Sequence, residues 1–259
     1  MKKLVKLLCL SLMFGTGLTL SSCNETPVSS DTEPSKVAIY TAYCEFAGNM
    51  FMSGKGDLGP LPAETTFYND YSWEAHATGK AMYSDFEGSW EYNNTLSMKL
   101  LIQDGVEKEG EDQKVEIDTT DERVWSWTLS HQDDRGTSMK YHKNHMSRYG
   151  FLKAYNEKMN KNETLPAEPT FKLIFDNGIW EAKGWAGEAR TGDLTGSMQD
   201  IVGKSGEEVT LPACGFTREN YTFTSYTVFD GLKTTKNVGD KYVLRDWDIS
   251  VRSNFTKNV

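Results

Sequence analysis

The sequence predicts a mainly β protein: an N-terminal β-rich sheet or barrel domain carrying one amphipathic helix, followed by a smaller β-rich domain. Three observations carry that prediction. From Val37 onward the chain runs in short stretches rich in Tyr, Trp, Phe and Thr, broken by Gly, Pro, Asn or Asp, the composition of strands joined by turns. One segment, near residues 144–160, repeats large apolar residues at three- and four-residue steps, the period of a helix. Asn162, Pro166 and Pro169 then stop the helix and mark a boundary at about 162–169.

Before Val37 the chain has a different character. Lys2, Lys3 and Lys6 precede an apolar run from Leu7 to Leu20, which closes on Ser21, Ser22 and Cys23. Charge, apolar run and small residues in that order make an export signal of residues 1–22. At about 14 residues the run is shorter than the ~20 that cross the hydrocarbon core, so it is expected to be removed. Leu20-Ser21-Ser22-Cys23 resembles the lipobox of bacterial lipoproteins. That resemblance implies cleavage before Cys23 and lipidation of its thiol; an ordinary secretory signal ending near a cysteine is the alternative. Two or three acyl chains anchor stably where one is marginal. The membrane is therefore an expected partner through the lipid on Cys23, with the protein in the cell envelope, anchored on the extracytoplasmic side and exposed at the surface. Residues 24–36 hold Pro27, Pro34, three serines and no aromatic residue, so residues 23–36 read as a lipidated, flexible tether.

The net charge is −9, and loss of residues 1–22 removes three lysines and no acid, leaving −12. Such a surface repels nucleic acid, which is not expected as a partner. Of four cysteines, Cys9 leaves with the signal and Cys23 takes the lipid. Cys44 and Cys214 could pair in an exported chain, but they fall in different expected domains, and two buried free thiols are the preferred reading.

The first domain is expected over residues 37–165, with strands at Val37–Phe46, Thr65–Tyr71, Glu87–Tyr92, Leu96–Ile102, Val115–Asp118 and Val124–Ser130. Alternation is clearest where Trp90 and Tyr92 share one face, Asn93-Asn94 turns the chain, and Leu96, Met98 and Leu100 alternate on the return, a hairpin with one buried face. The acidic stretch Asp104–Glu122 has few large apolar residues and reads as a solvated hairpin loop or loose edge strand. Met146, Tyr149, Leu152, Tyr155 and Met159 form the stripe of a helix from about Asn144 to Asn160, packed on its own sheet rather than on a membrane.

The second domain is expected over residues 168–255, with strands at Phe171–Phe175, Glu208–Leu211, Tyr221–Val228, Lys241–Leu244 and Ile249–Val251. Thr210, Leu211, Pro212, Phe216, Thr217, Arg218, Glu219, Tyr221 and Phe223, with Gly239-Asp240 further on, resemble the Listeria-Bacteroides (internalin B type) repeat. Asn220 stands for the usual Gly of that phrase, Ser225-Tyr226 for Gly-Trp, and Val251-Arg252-Ser253 for its closing apolar-Trp phrase. Residues 179–193 are an insertion. The resemblance implies a β-grasp-like repeat domain that acts as a spacer or binding unit and has no catalytic residues.

Motifs that could carry chemistry are weak. Gly54-Lys55-Gly56-Asp57-Leu58-Gly59 satisfies G-x-G-x-x-G, yet Pro60 and Pro62 follow, and a dinucleotide site needs a helix there. His142 and His145, with His131, Asp133 and Asp134 nearby, lack the spacing of a zinc site and read as solvated. No nucleophile elbow or Walker loop is present. Gly88-Ser89-Trp90 resembles the G-x-W of lipocalin-like barrels, although a Trp filling a sheet core is the plainer reading. The expected protein is a membrane-anchored, surface-exposed bacterial lipoprotein without catalytic residues, cofactor or metal, serving adhesion, display or binding of a protein or glycan partner. The alternative is a lipocalin-like carrier of a small apolar ligand.

Overall fold

The computed structural model describes residues 35–46, 63–79, 82–132, 139–183, 188–231 and 233–258. The expected signal, Cys23, most of the tether and the glycine-rich loop at Gly54–Gly59 lie outside the described residues. The chain is mainly β, with a single α-helix among the described residues. Residues 36–259 form one compact unit.

Nine strands make the first sheet: β1 (Ala38–Phe46), β2 (Ala63–Tyr68), β3 (Ser72–Gly79), β4 (Met82–Tyr92), β5 (Leu96–Gln103), β6 (Val106–Glu107), β7 (Lys114–Val115), β8 (Val124–Gln132) and β9 (Met139–Ser147). Their order is β6-β5-β4-β3-β2-β1-β9-β8, with β7 on β5. All pairings are antiparallel. β1 changes partner along its length: Ala38–Ala42 pair with β2, and Tyr43–Phe46 pair with β9. Strand twist accumulates across so many strands, and the sheet curls into a half-barrel. The expected Trp90–Leu96 hairpin is the β4–β5 turn, with Asn94 at φ 59°. The acidic stretch supplies short pieces: β6, a 3-10 turn at Gly110–Gln113, β7 and one bridge from Asp118 to Ser126.

The concave face holds Ile39, Phe67, Trp73, Phe86, Trp90, Met98, Trp127, Leu129 and Met146. Into it packs α1 (Arg148–Met159), which buries Phe151, Leu152 and Tyr155. Phe151 is the centre of this core. Its ring lies 5.6 Å from Phe67, 5.5 Å from Trp90 and 5.7 Å from Trp125, each edge to face, the favoured geometry for ring quadrupoles. The helix starts four residues later than its periodicity suggests. Residues 142–147 stay extended because β8 pairs with all of them and β1 with residues 142–145 on the other side. Ser147 then caps the helix, its hydroxyl accepting the Gly150 N–H at 3.1 Å, and Asn160 ends it at φ 50°.

Residues 161–169 lead to the second sheet. Its strands are β10 (Thr170–Asp176), β14 (Ile201–Lys204), β17 (Tyr221–Val228), β18 (Thr234–Lys236) and β20 (Ile249–Lys257), in the order β14-β10-β20-β17-β18. β10 and β20 are parallel, and the other pairs antiparallel. Three short ladders surround it: β11 (Gly178–Ala182) with β12 (Glu188–Asp193), β13 (Thr195–Gly196) with β16 (Phe216–Thr217), and β15 (Glu208–Thr210) with β19 (Lys241–Val243). Leu173, Phe175, Leu211, Tyr226, Val228, Leu244, Ile249 and Val251 form its core. Residues 179–193, expected to be an insertion, thus contribute to the paired strands β11 and β12.

The loop Arg245–Asp248 joins the sheets. Asp246 is fully buried and accepts from the Tyr40 hydroxyl (2.8 Å) and the Ser147 N–H (2.9 Å). Trp247 stacks on His145 at 4.8 Å, and Asp248 accepts from Arg123 at 3.1 Å.

Candidate functional site

Three places could hold a partner, and the first is the ground under Trp90. Gly88 leaves room for its neighbour, since a Cβ there would lie 2.5 Å from the Trp73 indole and 2.0 Å from the Lys99 carbonyl. The Trp90 N–H donates to the Tyr68 carbonyl at 3.2 Å, and its ring meets Phe67, Phe151 and Tyr155 within 6 Å. Helix side chains occupy the concave face where a carrier would place its ligand.

The second place is a groove of about 660 Å³ where the two ends of the curled sheet face each other. Phe86, Leu100, Trp127 and Leu129 line it, with Lys108 and Lys143 among its polar wall residues. The Asp118–Ser126 bridge and a hydrogen bond from the Gln103 amide to the Ser130 carbonyl, 3.2 Å, span it. Beside it runs a chain of hydrogen bonds: Ser126 Oγ to His145 Nδ1 at 3.0 Å, and His145 Nε2 to Glu45 at 2.8 Å. Serine, histidine and carboxylate are the residue types of an acyl-transfer relay. The geometry is that of a strand clamp instead. Ser126 and His145 are direct register partners on β8 and β9, and the Ser126 N–H is already committed to the Asp118 carbonyl at 3.0 Å rather than open to an oxyanion. The hydrogen bond from His145, then the charges of His145 and Lys143, hold Glu45 below its usual carboxylate range against the opposing effect of burial.

His142 and His145 were expected to be solvated; both are instead buried in β9. Three residues apart on a strand, they project to opposite faces, His142 against Phe86 and His145 against Trp247. They therefore cannot share an ion. Among the described residues no group of three or more His, Cys, Asp and Glu is placed to hold a metal. No disulfide joins Cys44 and Cys214, of which the first is buried and the second half-buried.

The third place lies on the outer face of the second sheet, under the β11–β12 hairpin, and encloses about 420 Å³. Register sets Asp176, Arg252 and Thr227 side by side on β10, β20 and β17. The Arg252 guanidinium lies between two rings, 3.8 Å from the Trp180 centroid and 4.3 Å from that of Phe229. Its Nη1 donates to Glu188 at 2.8 Å, and its Nε is 3.5 Å from Asp176. Asp176 also accepts from the Trp180 indole and the Gly178 N–H, both at 2.8 Å. Arg218 stacks on Tyr221 at 3.9 Å and reaches Glu181 at 3.4 Å. Lys233 stands 5.7 Å from the Phe229 ring.

Comparison with known proteins finds no matching family model, no matching curated protein and no matching solved structure.

Of the residues singled out in the sequence, Trp90 is in the first core, the two histidines are divided between faces, and Cys23 is outside the described residues. Trp180, Glu188 and Arg252 were not anticipated. Their signal was present, since residues 179–193 and the Val251-Arg252-Ser253 phrase are where the sequence departs from the repeat it resembles.

Proposed function

We propose that this chain is a non-catalytic bacterial lipoprotein, anchored through Cys23 on the extracytoplasmic side of an envelope membrane, whose folded part serves adhesion, display or binding at the surface. The observation that carries the reading is the N-terminal order of lysines, a short apolar run and Leu20-Ser21-Ser22-Cys23, followed by a polar tether. The C-terminal half is proposed as a β-grasp-like repeat module. A mixed sheet whose first and last strands, β10 and β20, run parallel at its centre supports that reading. Packing of Phe151 and Tyr155 against Trp90 favours a binding or display protein over a carrier of apolar ligands: a carrier needs an apolar pocket of roughly 300 Å³ or more, the ground under Trp90 is filled, and the larger groove has Lys108, Asp112, Lys114, Glu116 and Lys143 in its wall.

Metabolic labelling with a radioactive fatty acid tests the anchor. Label should enter the wild-type protein and be lost in Cys23→Ala, and protease added to intact cells should digest the folded part. Undiminished label in the variant, or full protection on intact cells, would overturn the reading.

A further inference from the structure

We infer that the cavity under the β11–β12 hairpin is a binding site for a neutral saccharide. The inference rests on the non-catalytic binding role proposed above and names its ligand class. Size comes first: about 420 Å³ is within the range of small-molecule pockets. The wall then combines two surfaces that one ligand class needs together. Phe255, with the parts of Trp180 and Phe229 that Arg252 does not cover, gives it aromatic area, which suits the C–H face of a pyranose ring. Arg252, Glu188 and Asn254 give it fixed donors and acceptors, and sugar hydroxyls use both at once.

Charge narrows the choice. Arg252 sits between the carboxylates of Asp176 and Glu188, Arg218 faces Glu181, and Lys233 is the remaining cation of the wall. Glu188 is in the wall, while Asp176 and Glu181 pair with Arg252 and Arg218 from just outside it; counted together they balance the three cations, so the site offers little net attraction to a phosphate or a sulfated polymer. An apolar ligand would leave the polar half of the wall desolvated and unpaired, which disfavours it. A neutral ligand rich in hydroxyls with an apolar face fits both halves. The site is also preorganised: the rings on either side of Arg252 and its two carboxylates fix the guanidinium before any ligand arrives, so little side-chain freedom is lost on binding.

Isothermal titration calorimetry on the full-length protein, held in a detergent without a sugar head group, tests this. The probes are cello-, xylo-, manno- and maltohexaose, with a heparin fragment and inorganic phosphate as charged comparators. At least one neutral oligosaccharide should bind saturably. Trp180→Ala should weaken it by about tenfold or more. Glu188→Gln, a near-isosteric change at an exposed carboxylate, should weaken it severalfold with an unchanged melting temperature. Absence of binding by all four neutral probes, tighter binding of a charged comparator, or affinity unchanged in both variants would overturn the inference. Fatty-acid labelling of the same preparation reports on the anchor independently, so loss of this inference and loss of the lipoprotein reading are distinguishable.

Discussion

Asp246 is fully buried, and its carboxylate gathers the Tyr40 hydroxyl, the Ser147 N–H and the Ser205 hydroxyl. Burial first, then the charge of Asp246, raises Tyr40 well above the usual phenol range, so it stays a donor. Asp246→Ala would strand these donors, and a loss of about 3 kcal/mol or more in urea unfolding is expected. Gly150 matters for the same contact, because a Cβ there would lie 2.6 Å from the Tyr40 hydroxyl. Gly150→Ala should therefore cost about 1–3 kcal/mol by the same measurement. Glu45 adds a pH dependence. Its folded pKa is below the unfolded value of about 4.3, chiefly through His145. Its contribution is thus fully present above that value and lost as pH falls through the lower folded one. Stability measured at a series of pH values should drop in that acid window, and Glu45→Gln should flatten the drop.

Helix α1 is the element on which the first core depends. Phe151→Ala removes the ring that touches Phe67, Trp90 and Trp125, and a loss of about 3–5 kcal/mol is expected. The same variant should open a space under Trp90 and bind an apolar dye that the wild-type protein ignores. Dye binding by the wild type with saturation and thermal stabilisation would instead favour the carrier reading. Existence of the helix was legible from spacing, but its start was not. Met146 fits the helical stripe equally well, and its pairing with Trp125 on β8, at the end of a ladder that also joins residues 142–145 to β1, keeps it in a strand, since tertiary pairing outweighs local period. Phe151 was overlooked because three- and four-residue steps counted from Met146 pass over it.

Across the whole molecule, the Arg245–Asp248 loop ties two separate cores into one compact unit. Tryptophans report both cores, Trp73, Trp90, Trp125 and Trp127 in the first and Trp247 in the second. Their fluorescence and far-UV circular dichroism should lose signal in one coincident urea transition. A double-mutant cycle between Arg123 and Asp248, 3.1 Å apart, should return a coupling of about 0.5–3 kcal/mol. Two resolved transitions, or zero coupling, would mean that the loop does not link the sheets energetically.

Period-2 alternation, aromatic and β-branched content and turn residues are local properties, so the sequence alone determined the mainly β class, the Trp90–Leu96 hairpin and most strands of both sheets. The charge and apolar pattern of the first 23 residues is local in the same sense, and the expectation about Cys23 rests on it entirely. Tertiary structure decided everything that depends on residues far apart in the chain. It placed β1 between β2 and β9, divided His142 from His145, aimed Asp246 at Tyr40 some 206 positions away, and brought Trp180, Glu188 and Arg252 around one cavity. Register across non-adjacent strands is set by the total burial of both faces rather than by any short window. The site on the second sheet could therefore be seen only once β10, β20 and β17 lay side by side.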